Sequence, residues 1–201
     1  MAHPDLPAAL KAHLAHADLT AQSNLAEVVA QQAPALRMLE RQLRQVSAPA
    51  TPVATRLPRL RFLAAQWTKP FAEHSACASG CSHCCNISVA VPRTEAKLIA
   101  KTTGAALAEP KRLQTVAQIA GDTTYFGAPC TFLHAGRCSI YAARPLVCRT
   151  LVNMDTVDLL CRLVPGMSVP VPYLNTSELQ GYFGHLTQAD QFADIREWFP
   201  A

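Results

Sequence analysis

The stretch CASGCSHCC, from Cys77 to Cys85, contains half of the eight cysteines in this 201-residue chain. Its spacing is C-x3-C-x2-C-C, and the other cysteines follow as Cys130, Cys138, Cys148 and Cys161. The sequence has no cysteine before this stretch and none after Cys161. This confinement predicts that the thiols work together and that the rest of the chain supports them.

Metal ligation is a better interpretation of these cysteines than four disulfides. The N-terminal sequence MAHPDLPAALKAHLAHADL lacks the pattern of a secretory signal, and no apolar window approaches the length of a membrane span. We therefore expect a soluble, cytoplasmic protein without a membrane partner, in a compartment that keeps ordinary thiols reduced. Adjacent Cys84 and Cys85 could join each other only through a strained bridge.

The positive charge of the chain is interpreted together with these thiols. The formal net charge is +4 with every thiol counted as neutral. Eight thiolates would outweigh that charge, and two divalent metals or clusters with a 2+ core would return the total to zero. The basic residues are thus expected to balance the site, and a nucleic-acid partner is not favoured.

The chemistry of thiolates narrows the choice of metal to zinc or an iron–sulfur cluster, which both take four protein ligands. Eight cysteines fit two sets of four. The side chains of Cys84 and Cys85 leave the backbone in different directions, so these residues are predicted to serve different metals or different irons. All-cysteine ligation favours [4Fe-4S] slightly, and closed four-thiolate sites suit zinc equally well.

Outside the cysteines, the sequence predicts a mainly α-helical fold with an N-terminal helical extension. Residues 5–46 have helical composition, and a hydrophobic seam from Leu25 to Val46 is interrupted by Pro34. It predicts a helix, or a kinked pair, that packs on the domain, with a homodimer or partner seam as the alternative. We expect the extension and a linker (47–58) to occupy residues 1–58, and a metal-binding domain to occupy 59–201 with a motif core at 77–161.

The second region is predicted to be a small helical domain whose cysteine loops are built around metal. Its expected helices cover 59–69, ended by Pro70, then 94–103, ended by Gly104, and 110–120. A short strand is expected around Val89. Residues 122–148 and 164–184 are predicted to be loops, and the last helix is predicted to begin near Thr187.

Two blocks of sequence resemble the YkgJ-type cysteine-cluster family, which is described as a zinc- or iron-chelating domain. They are CASGCSHCC with the following ISVAVPRTEAKLIAKTTG, and PCTFLHAGRCSIYAARPLVCR from Pro129 to Arg149. The resemblance covers about residues 77–161 and implies a set of metal ligands. These ligands are Cys77, Cys81, Cys84, Cys85, Cys130, Cys138 and Cys148, to which Cys161 is added because it completes two sets of four.

Other residues in these blocks have expected supporting roles. Gly136 suits a turn with positive φ, and Pro145 stiffens the approach to Cys148. Arg144 or Arg149 could offset thiolate charge or donate to sulfur, with a surface salt bridge as the alternative.

Four histidines are candidates of a lower rank. His83 and His134 could replace a thiolate as metal ligands. His13 and His16 share a helical face that is expected to be solvated, with a second metal site as the alternative.

Three classes of function remain open from the sequence, and whether the protein is an enzyme is not decided. The first is a metal-binding protein with a structural, storage or metal-handling role. The second is an iron–sulfur enzyme for redox or methyl transfer: Cys77, Cys81 and Cys84 reproduce the C-x3-C-x2-C spacing of radical-SAM enzymes, and flagellin lysine methylases look related to the family. The third is a metal-stabilised interaction module that binds a partner through its N-terminal helices.

Overall fold

The computed structural model describes residues 6–47, 51–78 and 80–201, and its fold is mainly α-helical, as the sequence predicts. The α-helices are α1 (Ala8–Ser47), α2 (Val53–Glu73), α3 (Arg93–Thr103), α4 (Val116–Gly121), α5 (Leu146–Thr150), α6 (Ser177–Leu186) and α7 (Ile195–Trp198). The strands are β1 (Ala90–Pro92), β2 (Leu133–His134), β3 (Arg137–Cys138) and β4 (Phe192–Asp194). Within these ranges no helix combines the length and the apolar character that crossing a membrane requires.

The long N-terminal helix α1 is continuous through Pro34. It has 40 residues, which at a rise of about 1.5 Å per residue makes it about 60 Å long. A proline inside a helix removes one backbone hydrogen bond, and packing of the surrounding turns offsets that loss. Of the two predicted forms, the structure has the single helix; the predicted start at residue 5 lies outside the described residues.

Helices α1 and α2 pack against each other with their connection at one end. Leu43 shares a buried cluster with Leu57, close to the connection, whereas Val28 shares one with Phe71, far from it. This order indicates that the two helices run antiparallel. Leu36 and Leu43 of the predicted seam are buried within this chain, whereas Leu25 and Val29 at its N-terminal end are exposed.

Helix α2 corrects two predictions. Residues 53–58 of the predicted linker are its first turns, and residues 48–50 lie outside the described residues. Pro70 does not end the helix, which continues to Glu73. The physical reason is tertiary packing: Leu60, Leu63 and Phe71 are buried on one face, and their burial outweighs the cost of the prolines.

The region around the cysteines is built on a small antiparallel pair of strands. β1 pairs with β4 from Ala90 opposite Asp194 to Pro92 opposite Phe192. Helix α3 follows β1 and ends as predicted, with Gly104 at φ +73°. The core beneath these elements contains Val91, Ile99 and Trp198 in fully buried positions. This core joins the C-terminal residues of the chain to the segment that carries Cys84 and Cys85.

The C-terminal third contains elements that the sequence prediction misplaced. Helix α6 lies largely within the predicted loop 164–184 and ends where the last helix is predicted to begin. Leu179, Phe183 and Leu186 recur at helical spacing and are buried, and this pattern outweighs the glycines of the segment. Helix α4 begins at Val116 instead of residue 110, after a capping box formed by Thr115 and Gln118.

Candidate metal centre

The eight cysteines are free, partly buried thiols. Those of the first motif lie after α2, with Cys84 and Cys85 in the short 3-10 turn His83–Asn86. Cys130 precedes the β2–β3 hairpin, Cys138 ends it, Cys148 lies within α5 and Cys161 ends the 3-10 turn Leu159–Cys161. Short elements separated by loops thus bring the four later cysteines toward the first motif.

Four of the thiols form what we name the first thiol set: Cys77, Cys81, Cys84 and Cys161. Burial raises the pKa of the Cys161 thiol to about 12, and the nearby Cys77, Cys81 and Cys84 raise it further by charge repulsion. Burial also raises the pKa of Cys81, which faces Cys77 and Cys84. These mutual effects indicate that the four thiols lie in one neighbourhood of the fold.

The other four thiols form the second thiol set: Cys85, Cys130, Cys138 and Cys148. Cys130, Cys148 and Cys138 each act on Cys85 by charge repulsion. The backbone N–H of Cys130 donates to the carbonyl of Cys85 over 2.8 Å, which joins the two motifs directly. Burial raises the pKa of Cys130 and Cys148.

The two sets meet at the neighbouring residues Cys84 and Cys85. The Cys84 and Cys85 thiols interact directly, and this interaction raises the pKa of Cys84 and lowers that of Cys85. Cys148 is also near Cys84, so the two sets adjoin. Each set combines cysteines from the first motif with cysteines from later in the chain, and the adjacent pair is divided between the sets.

The thiols lie near one another without forming a finished ligand cage. In the part of the chain that the structure describes, no group of three histidine, cysteine, aspartate or glutamate side chains is arranged so that it could hold a metal ion. The thiols are therefore grouped in the fold without the geometry of a metal-ligand set.

Asn153 provides polar support for the first thiol set. Its backbone N–H donates to Cys77 Sγ over 3.2 Å, and its side-chain Nδ2 donates to Cys161 Sγ over 3.4 Å. The residue is completely buried. Hydrogen bonds to sulfur stabilise the thiolate form that binds metal, so Asn153 both orients the two thiols and favours their ionisation.

Arg196, at the start of α7, joins the two loops of the second thiol set. Its guanidinium donates to the carbonyls of Cys85 and Ala128, over 3.1 and 2.7 Å, and to those of Ile87 and Pro129, over 3.2 and 3.1 Å. Asp194 accepts from the same guanidinium over 3.1 Å. One buried cation therefore fixes the backbone on both sides of the site.

Arg144 is the side chain that best tests whether the site suits thiolate-bound metal. Its Nε is buried and has no hydrogen-bond partner among the described residues. The pKa of Cys77, Cys84 and Cys148 is raised overall, and the positive charge of Arg144 opposes that rise, so Arg144 lies near both sets. The guanidinium also stacks on the Tyr141 ring. A buried cation near these thiols fits a site that holds negatively charged metal–thiolate groups.

One protein-family model matches part of the chain. Residues 76–164 match a family model called CxxCxxCC, described as a "Putative zinc- or iron-chelating domain". This segment is similar to that domain, which we call the CxxCxxCC domain below. It takes up less than half of the chain, and α1 and α2 lie outside it. No curated protein and no solved structure matches the chain.

Within the CxxCxxCC domain, the expected roles of the motif residues are realised in part. Gly136, at φ +74°, follows Ala135 in the two-residue turn of the hairpin. Pro145 immediately precedes α5. Arg149 donates to the carbonyls of Arg144 and Ala142. Its role is therefore to stabilise the loop before Cys148 rather than to form a surface salt bridge.

The histidines occupy different environments. The His83 ring lies 2.9 Å from Asp158 Oδ2, at the edge of the first thiol set, and His134 is exposed on the hairpin. His13 is not on a solvated face, because its Nε2 contacts the buried carboxylate of Asp155. His16 is exposed as predicted.

A buried ion pair outside the cysteine motifs supports the CxxCxxCC domain near Cys148. Glu95 Oε1 lies 3.1 Å from Arg61 Nε and accepts a hydrogen bond from the backbone N–H of Leu146 over 2.8 Å. Arg61 also donates to the carbonyls of Ala143 and Arg144. Burial raises the pKa of Glu95 to about 7, although the Arg61 charge opposes this shift.

This raised pKa predicts a pH-dependent difference between the wild-type protein and Glu95→Gln. Between its ordinary pKa and about 7, the folded protein binds a proton at Glu95 that the unfolded chain has lost, so this contribution to stability falls as the pH rises. Glu95→Gln lacks it. From about pH 5 to about pH 8, the unfolding free energy of the variant should therefore rise relative to wild type by about 1 to 3 kcal/mol. Urea denaturation of both proteins measures this difference, and parallel pH profiles would contradict it.

The sequence prediction missed the polar residues that hold the thiols in place. Asn153, Asp194 and Arg196 lie outside the two motif blocks, and Arg61 lies in α2. No spacing rule connects them with the cysteines, because their partners are far away in the chain. Asp194 has one local signal, since its side chain caps the N-terminus of α7.

Proposed function

We propose that this chain binds metal at two four-thiolate sites, one formed by the first thiol set and one by the second. Each site would hold zinc or an iron–sulfur cluster, and the role of the metal is structural, storage or metal handling. The observations that carry this proposal are the hydrogen bonds that join the loops of each set: Asn153 donates to both Cys77 and Cys161, and the backbone N–H of Cys130 donates to the carbonyl of Cys85. The zinc- or iron-chelating description of the CxxCxxCC domain supports it.

The side chains around the thiols favour this function. Metal binds the thiolate form of cysteine, so metal binding has to remove protons from these thiols. Burial raises the pKa of Cys148 and Cys161, which makes that step more costly. Asn153 and Arg144 offset that cost at the first set by hydrogen bonding and by positive charge. When bound, the metal would cross-link loops from both motifs. Arg196 keeps the loops of the second set in register for that purpose.

A binding role is favoured over methyl transfer by the position of Cys161. A radical-SAM enzyme holds its cluster by three cysteines and leaves one iron open. Here Cys77, Cys81 and Cys84 have Cys161 beside them as a fourth thiol. Four thiolates complete a tetrahedral set and leave no vacant position for a substrate.

The test of this proposal is the metal content of protein purified without oxygen. Wild-type protein is expected to carry two centres, either as stoichiometric zinc without colour or as iron with matched sulfide and broad absorbance at about 400 nm. Cys161→Ser and Cys138→Ser should each lose the metal of one centre, and the double variant should lose both. A single substitution that prevents uptake of any metal, even when metal is supplied in excess, would contradict two separate sites. Wild-type protein without metal, with all eight thiols titrating freely, would contradict metal binding itself.

A further inference from the structure

The N-terminal half of α1 lies outside the CxxCxxCC domain but contacts the loops that carry the first thiol set. Asn24 Nδ2 donates to the carbonyl of His74 over 3.0 Å and to that of Met154 over 2.8 Å. The first carbonyl lies just before Cys77 in the chain, and the second follows Asn153. One side chain of α1 therefore fixes both backbone segments that lead to the first thiol set.

His13 makes a second connection, which leads to the sulfur atoms through two buried residues. Its Nε2 lies 2.5 Å from Asp155 Oδ2, and Asp155 is 1% exposed. The Asp155 backbone N–H donates to Asn153 Oδ1 over 3.0 Å, and its carbonyl accepts from the N–H of Ala76 over 2.7 Å. Asn153 then donates to Cys77 and Cys161. The orientation of these two thiols thus depends on contacts that start on α1.

Apolar packing supports the same segment of α1. Leu10 and Ala17 share a buried cluster with Leu160, the residue before Cys161. Removing the N-terminal half of α1 would expose this cluster and release the 3-10 turn that positions Cys161. The second thiol set is held differently, by Arg196 of α7 and by the Arg61–Glu95 pair between α2 and α3.

We propose that the N-terminal half of α1 positions the first thiol set and controls how readily that set releases its metal. His13 and Asn24 are positioning residues, because they act on Cys77 and Cys161 through Asp155, Asn153 and the loop carbonyls. Metal at the first thiol set then exchanges readily, and metal at the second thiol set is retained. This inference rests on the proposed function, since it assumes a separate metal at each set.

The experiment compares the release of metal from zinc-loaded full-length protein to an excess of a coloured chelator. The variants are His13→Ala, Asn24→Ala and the double variant, with His16→Ala as the matched control on the exposed side of the same helix. The double variant should release one zinc equivalent at least about tenfold faster than wild type, since loss of groups that orient metal ligands weakens sites by about 10- to 100-fold. The second equivalent should leave at the wild-type rate. His13→Gln retains a side-chain N–H toward Asp155 and should restore part of the slow release.

A readout on metal-free protein keeps the inference separate from the proposed function. The double variant should increase the alkylation rates of Cys77 and Cys161, measured by mass spectrometry, relative to those of Cys130 and Cys138. Wild-type release and alkylation rates in the double variant would overturn the inference while leaving metal binding intact. Equal acceleration at both sets would also overturn it, because that result indicates general loss of structure. Failure of wild-type protein to bind zinc would overturn the proposed function, and the alkylation pattern would still report whether α1 positions these thiols.

Discussion

Arg196→Ala is expected to lower the free energy of unfolding by about 3 to 5 kcal/mol and to empty the second thiol set of metal. The guanidinium donates to four carbonyls and pairs with Asp194, and it is 9% exposed. Truncation leaves the Asp194 carboxylate buried without its cation and leaves the loops of Cys85 and Cys130 without their shared donor. Urea denaturation measures the loss of stability, and metal analysis of the purified variant measures the loss of the second centre.

Two further variants make this expectation specific. Arg137→Ala removes an exposed arginine beside Cys138 and should change stability by less than about 0.5 kcal/mol. Arg196→Lys keeps the charge but loses the planar arrangement of donors, so its stability should lie between wild type and Arg196→Ala. Wild-type stability and full metal content in Arg196→Ala would show that the carbonyl contacts do not hold the site together.

Metal loading is expected to raise the thermal midpoint of unfolding by about 10 °C or more. Each centre that is occupied at about a thousand times its dissociation constant adds about 4 kcal/mol, and a chain of this size gains about 2 to 4 °C per kcal/mol. The reason is local: β2 and β3 have two residues each and α5 has five, so the cysteine loops contain little regular structure of their own. Differential scanning fluorimetry of metal-free and reloaded protein measures the shift.

The same experiment distinguishes the two parts of the chain. Hydrogen exchange should show less protection within residues 77–161 in metal-free protein than in zinc-loaded protein, while the protection of α1 and α2 is unchanged because of their shared core. Magnesium is the matched control, because thiolates are poor ligands for it and it should leave the midpoint unchanged. Identical melting curves for metal-free and zinc-loaded protein would refute a stabilising role of the metal.

Local features of the sequence were sufficient to predict much of the fold. Helix α1 follows from composition and spacing, the end of α3 at Gly104 from the left-handed conformation that glycine tolerates, and the hairpin turn from Gly136. The cysteine region was predicted from its dense spacing and from a family resemblance, and the family match at residues 76–164 agrees with that region. Each of these signals acts within a few residues of the position that it predicts.

The parts that could not be predicted depend on contacts between distant residues. Pro70 remains helical because Phe71 is buried against other segments, and α6 forms because Leu179 and Phe183 join the core of α1 and α2. Arg196 supports a cysteine loop whose residues lie more than sixty positions earlier in the chain. Neither propensity nor motif spacing contains this information, since it arises only when the chain has folded.

The adjacency of Cys84 and Cys85 makes the two centres thermodynamically dependent on each other. A single peptide unit carries one ligand of each proposed site, so fixing the backbone for one centre also fixes it for the other. The second metal to bind then meets a turn whose conformational entropy has already been lost, which is a source of positive cooperativity. Linkage requires the effect to be reciprocal: whichever centre fills first strengthens the other by the same factor.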